Sequence, residues 1–252
     1  MAFLKKEFRA IFKTYRVWVI PLVFITFALM SPPLAKLTPK LIESVLPKGI
    51  NMKVPDPKLT DAFAQWFKNL SQMGVLAVIL LTMGLVAEEK SSGTILLIVT
   101  KPISRANVVL SKFIAHVAWV AFSFAVSAAA CYGYAAIIFK PEKATQFMQG
   151  NILYLIYFVL VVAVTVFFST VLKSQVAAGS LSLVTVMLMS LLPALGEWGR
   201  DFTPGGLTYL GDKIAVSGAA RLADGAWLMF IAGFLIVCLL TAAIIIFNRQ
   251  EI

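Results

Sequence analysis

Six long apolar blocks divide this sequence, and they limit its possible folds more than any other feature. They run over about Tyr15–Met30, Leu70–Ala87, Asn107–Phe139, Asn151–Leu172, Val176–Leu195 and Ala226–Phe247. A run of ~18 or more apolar residues with almost no charge is long enough to cross a bilayer as a helix. In lipid the helix is favoured because it satisfies every backbone amide and carbonyl within itself. Composition agrees: 60% of the 252 residues are hydrophobic and 13% are charged, against ~45–50% and ~25% in an ordinary soluble domain. The expected fold is an all-α polytopic membrane protein, a single transmembrane domain over residues 1–252 with six transmembrane helices.

Ahead of the first block, residues 1–16 read as an amphipathic helix. Leu4, Phe8, Ile11, Phe12 and Tyr15 recur at helical spacing, and Lys5, Lys6, Arg9, Lys13 and Arg16 take the other face. Such a helix lies in the lipid interface, with its basic side toward anionic headgroups. Lys5, Phe8, Arg9 and Phe12 are its candidate interfacial residues. The competing reading is the charged n-region of a signal peptide. A signal has no need of this amphipathic order, and further spans follow.

The segments between the blocks carry the polar chemistry. The first block is short, contains Pro21 and is expected to end at Ser31-Pro32-Pro33. Residues 31–69 form a large polar segment, in which Leu41–Leu46 and Asp61–Leu70 fit short helices. The second of these would place Phe63, Trp66 and Phe67 at the interface. The third block, at 33 residues, exceeds a ~30 Å hydrocarbon core and is expected to protrude or to break near Gly133. Residues 140–150 make a short loop and Lys173-Ser174-Gln175 a tight turn. Residues 196–225 hold seven of the fifteen glycines. Leu207–Val216 within them fits a short re-entrant or surface helix.

Net charge is +10, a balance that in a soluble protein suggests nucleic acid. Here the positive-inside rule accounts for much of it. Lys and Arg split evenly, eleven to each side of six spans, but the side holding both termini has the shorter segments and the denser charge. Density therefore favours cytoplasmic termini. Cys131 and Cys238 lie within apolar blocks and read as small buried packing residues. No Cys/His spacing suggests a metal.

Ionisable groups inside the spans are almost absent, which argues against an ion-coupled carrier. His116 is the one well inside, with Lys112 a turn before it, and it reads as a polar residue near the cytosolic interface with a hydrogen-bonded partner. Glu88, Glu89 and His116 fail the pattern of glutamate-type intramembrane proteases: position 93 is Gly, and the later helix carries Phe113-x-x-His116. No Gly-Lys dipeptide occurs, so a G-x-x-x-x-G-K-[ST] phosphate loop is impossible. If ATP drives this protein, another chain hydrolyses it.

One segment is neither span nor ordinary loop: residues 88–112, EEKSSGTILLIVTKPISRANVVLSK. Thr94 or Ser92 can cap a short helix with the body Ile95–Val99, Pro102 stops it, and Ser104 can cap the next span. Five adjacent apolar residues on ~1.5 turns cannot all face one side. The residues fit two readings equally: an apolar patch covered by a partner, rimmed by Glu88, Glu89, Lys101 and Arg105, or a loop packed on its own bundle.

The order of these residues resembles ABC-2 type transporter permeases. It comprises Glu89, Gly93-Thr94, Ile95 to Val99, Pro102-Ile103-Ser104-Arg105 and Lys112. The six-span layout and the amphipathic N-terminus extend the resemblance over most of the chain. It implies that residues 88–106 are a cytosolic coupling loop whose helix, between spans two and three, docks on a separate nucleotide-binding ATPase. The coupling residues would be Glu88, Glu89, Gly93, Thr94, Ile95, Leu96, Leu97, Ile98, Pro102 and Arg105. It also implies that residues 1–16 are the elbow helix, that residues 196–225 are external or re-entrant, and that both termini are cytoplasmic in the plasma membrane. The chain would hold no cofactor, with ATP and Mg in the partner, and would need a second permease copy or a relative. Export is the commoner direction in such proteins, and the Ser and Thr of the spans suit a lipidic, amphipathic or peptide-like cargo. The external segment 31–69 is longer than the simplest members carry, so no role for it comes with the resemblance. The alternatives are a non-transporting membrane scaffold or sensor and a secondary transporter.

Overall fold

The computed structural model describes residues 2–13, 16–45, 56–94, 104–140 and 142–250. All regular structure among them is helical. Helix α1 (Ala2–Lys13) precedes α2 (Arg16–Val45), which carries the first candidate span. The second, Leu59–Ser91, stacks α3 (Leu59–Asn69), a π turn (Leu70–Gly74), α4 (Val75–Thr82) and α5 (Ala87–Ser91). Helices α6 (Arg105–Ile138), α7 (Ala144–Val171) and α8 (Gln175–Leu191) follow. After two short helices, α9 (Glu197–Phe202) and α10 (Gly206–Asp212), the last span is α11 (Ala226–Arg249). Six helices are thus long and apolar enough to cross a membrane.

Helix α7 is the most buried of the six. It packs against α4, α6, α8, α10 and α11. A helix that is apolar all round is suited to that central place, and Leu153, Phe158 and the run Leu160–Val164 are all closed to solvent. Helices α8 and α11 keep most of their surface outward, as lipid-facing spans do. Cys131 is buried in α6, whereas Cys238 on the outer face of α11 is exposed, so only the first fits the expectation from sequence.

At the end of the bundle away from α5, the spans are held by aromatic packing. Phe63 meets Phe147 at 4.4 Å between ring centroids, Phe67 meets Tyr154 at 4.7 Å, and Phe24 and Phe124 both lie 5.5 Å from Phe158. Trp66 is fully enclosed, and its Nε1 donates to Asn151 Oδ1 at 3.1 Å while Asn151 Nδ2 donates to the Phe147 carbonyl. The sequence reading put Phe63, Trp66 and Phe67 at the interface. Their side chains are enclosed by the protein instead of facing lipid headgroups, because α3 is the packed first part of span two rather than a surface helix.

Two more boundaries differ from expectation: α7 already starts at Ala144, inside the expected 140–150 loop, and α2 overruns its expected end. Helix α2 runs through Pro32 and Pro33 to Val45. Each proline removes an amide that would have bonded a carbonyl four residues back. The helix survives because α3 packs along it and Asn69 Nδ2 donates to Ser31 Oγ at 3.1 Å, while Ser31 Oγ donates to the Phe27 carbonyl. Helix α6 does not break at Gly133. Its 34 residues are continuous, about 51 Å long, so it protrudes beyond the core. Gly133 meets open space on its Cβ side, and nothing there forces a kink.

The segment after α8 folds back onto α7. A side chain at Gly150 would strike the Gly211 carbonyl at 2.8 Å, so only glycine allows α10 to come this close. Tyr154 Oη donates to Asp212 Oδ1 at 2.9 Å and fixes the contact. Replacing Trp66 tests the aromatic packing. Trp66→Phe, which loses one buried hydrogen bond, should cost about 1 kcal/mol, and Trp66→Ala about 3–5 kcal/mol. Both should register as lowered thermal unfolding midpoints of the detergent-solubilised protein, the second much the larger.

Candidate functional site

The site is the junction where α5 and the start of α6 meet the ends of the other spans. It begins with a jog in span two. Residues 83–86 form a turn after α4, and the Val86 and Ala87 amides, both fully buried, donate to one acceptor, Ser169 Oγ of α7, at 3.0 and 3.1 Å. That hydroxyl satisfies donors a helix start leaves open and sets the direction of α5. Five residues later α5 ends. The Ser92 amide bonds the Glu88 carbonyl, the Gly93 amide bonds the Lys90 carbonyl, and Gly93 takes φ +72°. That left-handed geometry is a helix stop that favours glycine, so the Gly93 of the motif has a backbone role.

The charged residues of the junction then bind three other elements. Lys112, about two turns into α6, is buried, and its Nζ lies 2.8 Å from Glu89 Oε1 and 3.6 Å from Glu7 Oε2. Glu7 is likewise buried. It sits on the face of α1 that carries Leu4, Phe8 and Ile11, and Ile11 packs on Ala115 and Trp119 of α6. Glu89 Oε2 is buried with no hydrogen bond among the described residues. Lys90 Nζ donates to the Thr170 carbonyl at the end of α7 and to Gln250 Oε1. Arg105 spreads over the end of α11, donating to the carbonyls of Phe247 at 2.7 Å, Asn248 at 3.2 Å and Gln250 at 2.9 Å. Both cations also face the Phe247 ring.

Each contact has an electrostatic reason. The last carbonyls of a helix lack partners and carry partial negative charge, so Lys90 and Arg105 meet what the ends of α7 and α11 present. Gln250 Nε2 reaches the same region, 3.4 Å from the Thr170 carbonyl. A desolvated ammonium needs carboxylates close by, and Lys112 has two. The elements on either side of 95–103 are thus joined to α1, α7 and α11 by buried or half-buried polar contacts.

Of the coupling residues named from sequence, Ile95, Leu96, Leu97, Ile98 and Pro102 lie outside the described residues. Glu88 and Glu89 stand on α5, with Glu88 beside Gly84 and only Glu89 meeting Lys112. Thr94 is exposed and its hydroxyl contacts Ser92 Oγ. Ser104 caps α6 as expected, accepting from the Asn107 amide at 3.3 Å. In α1, Phe8 is half-buried, Arg9 is exposed, and Phe12 is exposed but edge-on to Trp119 at 5.1 Å; the Lys5 side chain lies outside the described residues. His116 Nδ1 contacts the Lys112 carbonyl at 2.9 Å, a bond within its own helix. Among the described residues no group of three His, Cys, Asp or Glu side chains is placed to hold a metal.

Sequence reasoning missed Glu7, Lys90, Ser169 and Gln250. Glu7 left a signal: it is the one acid in residues 1–16, and it keeps helical spacing with Leu4, Phe8 and Ile11. The other three meet only through tertiary structure.

A helical bundle with an amphipathic first helix, six apolar spans and a charged, laced junction between spans two and three defines a polytopic membrane protein. The family described as "ABC-2 family transporter protein" matches residues 1–197, and the chain belongs to that family. It is also 23% identical over 220 residues, 86% of this chain and 85% of the relative, to the "Uncharacterized transmembrane protein YxlG" of Bacillus subtilis (strain 168).

Lys112→Met should strand two carboxylates and destabilise the protein by about 3–5 kcal/mol. Adding Glu7→Gln and Glu89→Gln to that variant should recover much of the loss. Thermal unfolding in detergent measures both, and a triple variant no more stable than the single one would contradict the pairing.

Proposed function

We propose that this chain is the permease subunit of an ATP-driven exporter in the plasma membrane, with both termini cytoplasmic. A separate nucleotide-binding ATPase, which carries the ATP and Mg, docks on the 88–106 loop. A second permease copy or a relative completes the pathway. ATP binding brings two such ATPases together, each moves a loop, and the two permeases rock. The observation that carries this reading is the lacing of the loop's two flanks. Glu89 and Lys112 hold α1 through Glu7, Lys90 holds the end of α7, and Arg105 holds the end of α11. A loop with no mechanical role would gain little from such attachment. The absence of a phosphate loop from the sequence agrees, since the energy must then come from outside the chain.

The test is co-purification with a P-loop ATPase co-expressed with this chain as the candidate partner. Making Ile95 to Val99 polar, or reversing Glu88 and Glu89, should abolish co-purification. Glu7→Gln should leave the ATPase bound but lower the cargo moved per ATP in vesicles. An intact complex with unchanged ATP hydrolysis after the loop changes would reject the docking assignment.

A further inference from the structure

A second polar feature lies at the opposite end of the bundle. The far turns of α2 and the start of α3 border an open groove of ≈ 470 Å³, within the ~300–1,000 Å³ typical of small-molecule sites. Lys58, Asp61, Gln65 and Lys68 line one wall, Thr38 belongs to the other, and Asp56 lies at the mouth of α3. Positions 61, 65 and 68 recur at helical spacing, so they form one stripe on α3, with Lys58 just before it as the N-cap residue. Phe63, Trp66 and Phe67, all fully buried, take the other side of that helix. Asp61 Oδ2 accepts from the Lys58 amide at 2.7 Å, which fixes the start of the stripe.

Two ammonium groups and two carboxylates thus line one groove. Among the described residues, Lys58, Lys68, Asp56 and Asp61 form no ion pair with one another. The groove charges therefore do not neutralise one another. Depth gives the second constraint. Leu59–Thr82 alone rise about 35 Å as stacked helix, beyond a ~30 Å hydrocarbon core. With α5 at one surface, the first turns of α3 stand at headgroup level on the other. Asp61 has Lys58 three residues before it and Lys68 about two turns after it, so cations flank a carboxylate in the groove, as suits a ligand that carries both charge signs.

We propose that this groove binds a small zwitterion with a phosphate and a primary ammonium, the lysines taking the phosphate and the aspartates the ammonium. This inference needs only a membrane-spanning bundle and stands apart from the proposed ATP coupling. The same chemistry occurs in a lipid headgroup and in a free phosphoethanolamine ester, and the experiment separates the two.

Full-length protein in nanodiscs of phosphatidylglycerol with added phosphatidylethanolamine is examined by native mass spectrometry for retained lipid. In parallel, detergent-solubilised protein is titrated calorimetrically with glycerophosphoethanolamine. Wild type should retain phosphatidylethanolamine over phosphatidylglycerol. The pairs Lys58→Gln with Lys68→Gln and Asp56→Asn with Asp61→Asn should each weaken binding about tenfold or more, as loss of charge-assisted hydrogen bonds does. Asn at 61 keeps a capping oxygen, and unchanged unfolding midpoints show that both variants fold. Lipid retention without binding of the soluble ester identifies a headgroup site. Binding of the ester with the same losses identifies a site for a soluble zwitterion. Equal retention of the two lipids together with no ester binding, or insensitivity to the aspartate pair, would overturn the proposal.

Discussion

The ammonium of Lys112, enclosed between Glu89 and Glu7, is the interaction on which the junction depends. Burying an amine costs several kcal/mol unless carboxylates compensate, so α5, α6 and α1 must stay together for the charge to be tolerated. The contact is weak evidence for added stability, because a well-packed apolar set of the same volume would do as well. It is stronger evidence for a defined arrangement. Glu7 can reach Lys112 only if α1 lies with Ile11 on Ala115. The same seating turns Arg9 outward.

The other attachments use helix ends in place of side-chain pairs. Lys90 and Arg105 come from the two flanks of one segment, and each closes the carbonyl end of a different span. Ser169 adds a third tie by accepting the two amides at the start of α5. The central helix α7 therefore meets the junction twice, through Ser169 and Thr170. Since α7 also packs on most other spans, movement of α5 reaches the interior of the bundle directly. On the proposed reading, the loop and the spans behave as one lever.

Much of this was legible in the sequence. Apolar block length gave six spans, helical spacing gave α1, and Ser104 was a recognisable helix cap, while the expected tight turn Lys173-Ser174-Gln175 holds another, Ser174 accepting from the Ala177 amide. The misplaced boundaries share one cause. Pro32 and Pro33 end a helix by local rules, and Asp61 to Leu70 looks too polar for a span, yet α2 and α3 pack on each other and override both signals. The aromatic residues of α3 were read as interfacial because their partners, Phe147 and Tyr154, lie some eighty residues away. At the junction, Lys112 and Glu89 belonged to a recognisable motif. Gln250 and Ser169 bear no local mark, and their role comes from where α7 and α11 end.

On the proposed reading, α1 and α5 move together when a partner ATPase acts. Spin labels at Arg9→Cys and Ser91→Cys, both exposed positions, in a Cys238→Ser background, report that directly by pulsed dipolar spectroscopy on the assembled transporter. Between nucleotide-free and ATP-trapped states, the account predicts an unchanged distance from α1 to α5 within one chain and a changed distance between the Ser91 sites of the two copies. A shift within the chain as large as the shift between copies would contradict it.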